Sequence, residues 1–208
     1  MKNPYTIVSD FEETVAEFTG FKYAVAVESC TAALFLCLQY RKKDFGGEIT
    51  IPKYTYPGVA ASIVNSGYSI AFVDAEWQDV GWYKLEPLSI IDSAKYISQR
   101  MHDEMAGNSV CISFHVKKVL PIGRGGVVLS DSKEECEWIK LARFDGRHEC
   151  PLERDTLAMS GWNMYMTPEQ AARGMMLMTY VTERGFEMSP KDTYLDLSKY
   201  DFYTKANR

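Results

Sequence analysis

Six short apolar runs constrain this chain more than any other feature: Tyr23–Val27 (YAVAV), Glu48–Ile51, Ser69–Val73 (SIAFV), Leu88–Ile91 (LSII), Val110–Phe114 (VCISF) and Gly126–Leu129 (GVVL). Each has the length of a buried strand, and most are separated by segments of helical pattern. Ser9 or Asp10 is placed to cap a helix running to Phe18, with Gly20 ending it. Further helices are expected over Cys30–Tyr40, Gly58–Asn65, Ala94–Met105, Lys133–Arg143 and Pro168–Arg184, the last opened by Thr167 and Pro168. Strands alternating with helices predict an α/β layered fold with a mostly parallel sheet. With 208 residues, 46% of them hydrophobic, there is enough apolar surface for one core and too little for two full domains. The expected division is one domain over residues 1–186 and a tail over 187–208. Tyr194, Tyr200, Phe202 and Tyr203 make that tail a docking strap, dimer-related or otherwise, or leave it loose.

Charge and cysteine usage narrow the functional classes. The formal net charge is −5, which argues against a nucleic-acid or anionic-membrane surface. No run of 18 apolar residues suggests a membrane span, and Met1–Glu13 lacks the apolar region of a signal peptide. Cys30, Cys37, Cys111, Cys136 and Cys150 are scattered and odd in number, with no CxxC pair. Reduced thiols in a cytoplasmic protein are the expectation, and no metal site is indicated.

The residues that close the strands carry chemistry. In open α/β sheets, ligand groups gather at the carboxyl ends of strands. Glu28-Ser29-Cys30-Thr31 joins YAVAV to the next helix, so its free amides and hydroxyls suit a phosphate; taken alone, Ser29 or Thr31 is more simply a helix cap. Tyr56 follows the second strand and offers a stacking ring, although packing is the commoner use of such a tyrosine. Asp92 closes LSII, either as the partner of a protonated ring nitrogen or as a cap. Ser113-Phe114-His115-Val116-Lys117-Lys118 follows VCISF; a lysine there suits imine chemistry, whereas a lysine pair is ordinarily a solvated loop. Gly123-Arg124-Gly125-Gly126 permits close backbone approach or makes a plain turn, and does not fit a dinucleotide fingerprint.

Taken in order, these segments resemble the DegT/DnrJ/EryC1/StrS family of pyridoxal phosphate-dependent sugar aminotransferases. FEETVAEFTGFKYAVAVESCTAAL (11–34) resembles the family's opening helix, strand and phosphate turn, and ITIPKYTYPGVAASIVNSGYSIAFVDAE (49–76) its next unit. IIDSAKY (90–96) resembles the acidic motif, SFHVKKVLPIGRGGVVLSD (113–131) the lysine motif, and MSGWNMYMTPEQAARG (159–174) a late motif that reaches a neighbouring subunit. The resemblance covers about residues 9–180 and implies a fold-type-I large domain lacking most of a small C-terminal domain. It implies Lys118 as the Schiff-base lysine, five residues after Ser113 and seven before Gly125. It further implies Asp92 against the pyridine nitrogen and Tyr56 over the ring. Ser29, Cys30, Thr31 and Ser113 fall at the phosphate, where Asn163 arrives from the partner of a homodimer. Departures are visible too. The 17 residues 75–91 between Asp74 and Asp92 replace a full strand–helix–strand excursion, so a short extended connection is expected there. Lys95, Cys30, Arg124 and Tyr165 stand where the family commonly has Gln or His, Gly, Glu and Arg.

The function this resemblance implies is transfer of an amino group from an amino-acid donor to a keto acceptor, with a nucleotide-linked keto sugar as the acceptor it suggests and pyridoxal 5′-phosphate as cofactor. The alternatives are a binding protein that retains the fold without turnover, and another reaction of the same cofactor such as dehydration, decarboxylation or racemisation. A lysine at position 118 argues against the family's dehydratases, which use His there.

Overall fold

A computed structural model describes residues 3–184 and 190–204. The chain opens with helix α1 (Thr6–Thr19), strand β1 (Tyr23–Val27), helix α2 (Cys30–Arg41) and strand β2 (Glu48–Pro52). Helix α3 (Pro57–Asn65) and strands β3 (Ser69–Val73), β4 (Tyr83–Lys84) and β5 (Ile90–Asp92) follow. Then come the single-turn helix α4 (His102–Met105), strands β6 (Ser109–Ser113) and β7 (Gly126–Ser130), and helix α5 (Lys133–Ala142). Helix α6 (Pro168–Arg184) and the short helix α7 (Asp201–Thr204) complete the described elements.

Five strands form one sheet in the order β1-β7-β6-β5-β4, and β2 and β3 pair in parallel beside it. Two hydrogen bonds join the groups: Thr50 N donates to the Glu86 carbonyl (2.8 Å) and Glu86 N to the Thr50 carbonyl (3.2 Å). Because β4 runs antiparallel to β5, and Glu86 antiparallel to β2, the strands β1, β2, β3, β5 and β6 all point one way. Only β4 and β7 are reversed among the described strands. The expected short connection is thus a turn over 78–81 followed by β4, which fills the gap between β5 and β2.

Alternating side chains divide the core between the two faces of the sheet, as strand periodicity requires. Val25, Val27, Cys111 and Val128 pack with α2, α3 and α5, whereas Ala24, Ala26, Val110, Ile112, Val127 and Leu129 pack with α1 and α6. Helix α1 ends at Gly20, whose φ of +84° is the left-handed conformation that favours glycine. Its start differs from the expected Ser9 or Asp10 cap: it begins at Thr6, and no side chain caps it. Helix α6 opens on a reciprocal cap, with Gln170 N donating to Thr167 Oγ1 (3.4 Å) and Thr167 N to Gln170 Oε1 (2.8 Å).

The expected helix over Ala94–Met105 is limited to His102–Met105. Residues 93–101 form turns instead, in which the Ser93 hydroxyl donates to the Tyr96 carbonyl (2.7 Å). Such local side-chain bonds compete with a helical ladder. Here Lys95 and Ile97 are buried while Tyr96 and Ser98 are half-buried, an alternation that a helix does not produce.

Residues 190–204 lie against the same chain. Leu197 N donates to the Lys53 carbonyl (2.9 Å), Leu197 is buried in the α2–α3 core, and Tyr203 Oη donates to the Pro57 carbonyl (3.2 Å). The expected boundary at 186/187 lies outside the described residues. Among the described residues, no helix is long and apolar enough to cross a membrane.

Candidate active site

The candidate residues collect at one end of the sheet because β1, β5 and β6 all finish there and the reversed strand β7 begins there. Val27, at the end of β1, and Ser113, at the end of β6, are both register partners of Gly126. A Cβ on Gly126 would fall 2.5 Å from the Ser29 carbonyl carbon and 2.6 Å from Cys30 N. Glycine at this position therefore lets β7 start directly against the turn that opens α2. In that turn Ser29 Oγ accepts from Ala32 N (3.1 Å), the capping reading of the sequence. Its own hydroxyl proton is left to donate elsewhere. Thr31 is half-buried, and its carbonyl accepts from Ser62 Oγ (3.1 Å).

Asp92 is the electrostatic centre, with 2% of its surface exposed. Its Oδ1 accepts from Ala94 N (3.0 Å) and from the Cys30 thiol (3.9 Å). The sequence reading had offered either a cap or a site carboxylate, and the structure combines a turn-capping bond with a buried carboxylate. Burial raises the Asp92 carboxyl above its usual range; the Tyr83 hydroxyl, the Ala94 amide, the Lys118 charge and the Cys30 thiol act in the opposite direction. The same burial, then the Asp92 charge, raises the Cys30 thiol well above its ordinary value, so it is a neutral donor. Tyr83 faces Asp92 as its cross-strand partner on β4, and its hydroxyl lies 2.6 Å from Thr55 Oγ1. Burial, then Asp92, holds the Tyr83 phenol well above its normal value. A chain of donors from Thr55 through Tyr83 to Asp92 satisfies all three buried groups.

Lys118 is half-buried in the loop after β6, with its backbone N bonded to the His115 carbonyl (2.9 Å), whereas Lys117 is exposed. Its charge acts on Asp92, Cys30, Lys95 and Asp192. Tyr56 is 59% exposed just before α3, leaving its ring available. Asn163 is exposed, and its Nδ2 donates to Asp145 Oδ2 (3.0 Å) rather than to any residue of the 29–31 turn. The next residue, Met164, accepts from Glu28 N (2.8 Å), so Asn163 flanks the turn at the surface. At the rim, Arg124 pairs with Glu28 (2.6 Å).

Sequence reasoning did not find Tyr83, Thr55, Gln78 or Asp192. Tyr83 had a signal, as an aromatic residue in the short connection, but its pairing with Asp92 depends on a register between strands. A lysine, a buried carboxylate and a turn rich in free amides, all at the strand ends, are what a phosphorylated pyridine aldehyde requires of a protein. Among the described residues, no group of three His, Cys, Asp or Glu residues is placed to hold a metal ion.

The strand order is that of a fold-type-I large domain. In this respect the chain is similar to AtS13 from Actinomadura melliaura (TM-score 0.68, 22% identity, 85% of this chain and 60% of that one). It is likewise similar to NtdA from Bacillus subtilis, solved with the cofactor PMP (TM-score 0.67, 17% identity, 85% and 48% covered). The sequence profile of the DegT/DnrJ/EryC1/StrS aminotransferase family matches residues 1–90 and 87–187, and the chain belongs to that family. Among curated relatives, it is 26% identical to the spore coat polysaccharide biosynthesis protein SpsC of Bacillus subtilis over 81% of its own length. It is 24% identical to GDP-perosamine synthase of Caulobacter vibrioides over 85% of its length. The chain spans 55% and 57% of the lengths of these two relatives.

Proposed function

We propose that this chain binds pyridoxal 5′-phosphate and transfers an amino group from an amino-acid donor to a keto acceptor, with a nucleotide-linked keto sugar as the acceptor class. The observation that carries this reading is the buried Asp92 carboxylate at the end of β5, bonded to the turn at 29–31 through Cys30, with the Lys118 loop leaving the neighbouring strand β6 at the same end. The names of two 24%-identical relatives, GDP-perosamine synthase and the UDP-4-amino-4,6-dideoxy-N-acetyl-beta-L-altrosamine transaminase of Campylobacter jejuni, support the sugar class. When bound, the cofactor supplies an electron sink in its protonated pyridine ring.

This chain's residues then have distinct tasks. Lys118 Nζ would hold the cofactor covalently, and its free amine would move the proton at the donor Cα. Asp92 pairs with the pyridine N–H and keeps it protonated. The amides and hydroxyls of Ser29, Cys30 and Thr31, with Ser113, hold the phosphate at the start of α2. Tyr56 covers the ring. Asn163, exposed beside this turn, would reach the phosphate of a second copy, which makes the working form a homodimer with shared sites, and we place it in the cytoplasm. The free state of all five cysteines is compatible with that compartment.

Borohydride reduction of the protein loaded with pyridoxal phosphate, followed by peptide mapping, is expected to place the pyridoxyl group on Lys118. Its appearance on Lys117 or Lys95 would overturn the assignment. A second reading, cofactor binding without turnover, draws on the engagement of Lys95 by residues 190–192 beside Lys118. Glutamate separates the two readings, because only amino transfer releases 2-oxoglutarate and leaves the cofactor in its amine form.

A further inference from the structure

Two lysines follow strand ends of this site, Lys95 three residues after Asp92 and Lys118 in the loop after β6, and the structure treats them differently. Lys118 is half-buried, and its amine makes no hydrogen bond or ion pair among the described residues. Lys95 is 0% exposed and has three oxygen acceptors: Gln78 Oε1 at 3.0 Å, Asp192 Oδ2 at 3.4 Å and the Pro190 carbonyl. Three acceptors match the three protons of an ammonium group. Two of the three come from the segment 190–197, which is itself fastened in several places. Asp192 N donates to Gln78 Oε1 (2.8 Å), and Gln78 Nε2 donates to the Asp192 carbonyl (3.0 Å). Tyr194 Oη donates to Asp192 Oδ2 (2.9 Å), and its ring stacks on Trp77 at 5.8 Å. Asp196 bridges to Tyr54, and Leu197 is buried.

We propose that the segment 190–197 is a selector for the imine-forming lysine. By covering Lys95 and occupying its three protons through Asp192, Pro190 and Gln78, it leaves Lys118 as the one amine in this site open to a carbonyl. Such a device has a chemical purpose. Burial draws the Lys95 ammonium below the usual lysine value, which favours the neutral amine that attacks a carbonyl, so the cover that buries this lysine must also block access to it. An uncovered Lys95 would compete with Lys118 for an aldehyde, and cofactor held there would be displaced from its place opposite Asp92. Asp192 and Gln78 are positioning residues in this scheme, acting through Lys95. The inference rests on the pyridoxal phosphate reading for its purpose, but its test does not.

The probe is formaldehyde with cyanoborohydride, which methylates accessible amines without needing a cofactor site. Peptide mapping of the full chain is expected to show Lys95 modified at least tenfold more slowly than Lys118. In the double variant Gln78→Ala/Asp192→Ala, Lys95 should be modified within about threefold of Lys118. Leu197→Asp, which releases the strap from the core without touching the network, should give the same result. Circular dichroism and a cooperative melt confirm that each variant is folded. Amide hydrogen exchange over 190–197 shows in each whether the strap has opened. Equal modification of Lys95 and Lys118 in the unaltered protein would overturn the proposal. So would a Lys95 that stays protected in a variant whose strap has opened. A pyridoxyl group trapped on neither lysine would defeat the cofactor reading while leaving the methylation result standing.

Discussion

Asp92 shows how one residue has both a folding consequence and a chemical one. Its folded-state pKa is raised by burial, so the native protein binds its proton more tightly than the unfolded chain does. Stability associated with this group is therefore present below its unfolded pKa and falls as pH rises through the folded one. Asp92→Asn removes that penalty. Urea melts of variant and parent should converge near pH 3.5 and diverge at pH 7 in favour of the variant, while cofactor binding is lost. A variant that is less stable than the parent at pH 7 would show that the carboxylate contributes to the fold. Tyr83→Phe tests the donor chain. Without the hydroxyl, Thr55 Oγ1 loses its 2.6 Å partner in a fully buried setting, which costs about 1–3 kcal/mol. The Asp92 carboxyl should titrate higher still, as followed by carbon-13 NMR of the apoprotein. An unchanged titration would reduce Tyr83 to a packing residue.

At the scale of elements, the site exists because β7 is reversed. A strand entering at the same end where β1 and β6 finish brings its first residue, Gly126, against the turn that opens α2. Gly126→Ala would place a methyl group within 2.6 Å of backbone atoms of Ser29 and Cys30. Backbone cannot rotate aside as a long side chain can, so the strand and the turn must separate, at about 1–3 kcal/mol. The expected outcome is a lowered denaturation midpoint together with a phosphate affinity reduced more than that stability loss explains. Both can be read from one titration series with inorganic phosphate as ligand. Strand β4 has the opposite history. Two residues long and paired to β5, with Glu86 bonded to Thr50, it closes the gap left by a connection of 17 residues (75–91), and it carries Tyr83 to Asp92.

For the whole molecule, Asn163 is the residue proposed to complete the site of a second copy. It is exposed, its side chain is bonded to Asp145 among the described residues, and it is adjacent to the turn at Glu28. If each site is completed by a second chain, Lys118→Ala and Asn163→Ala proteins should each be poor at exchanging the amino group of glutamate. Mixed after subunit exchange, they should regain activity, because one site of a hybrid dimer collects both defects and the other neither. Verified exchange without recovery would place both residues in the same site of one chain. Lys118→Ala should leave the melting temperature nearly unchanged, since its amine makes no hydrogen bond or ion pair among the described residues.

Local pattern was sufficient for much of this protein. Apolar runs of strand length, the helical spacing between them and the punctuation by Gly20 and Pro168 specify elements through neighbours a few residues apart, so β1, β3 and α6 appear at the bounds the chain suggests. The candidate residues were legible for the same reason: a chemically distinctive side chain at a strand end is visible in one dimension. What the sequence could not decide were contacts made across register and across long separations. The turns at 93–101 replaced a helix because Lys95 found acceptors at Gln78 and on a segment almost a hundred residues away. Tyr83 met Asp92 because β4 paired with β5 in one register and not the next. A hydrogen bond or a buried charge depends on where the backbone has already placed both partners, and only the folded chain fixes that placement.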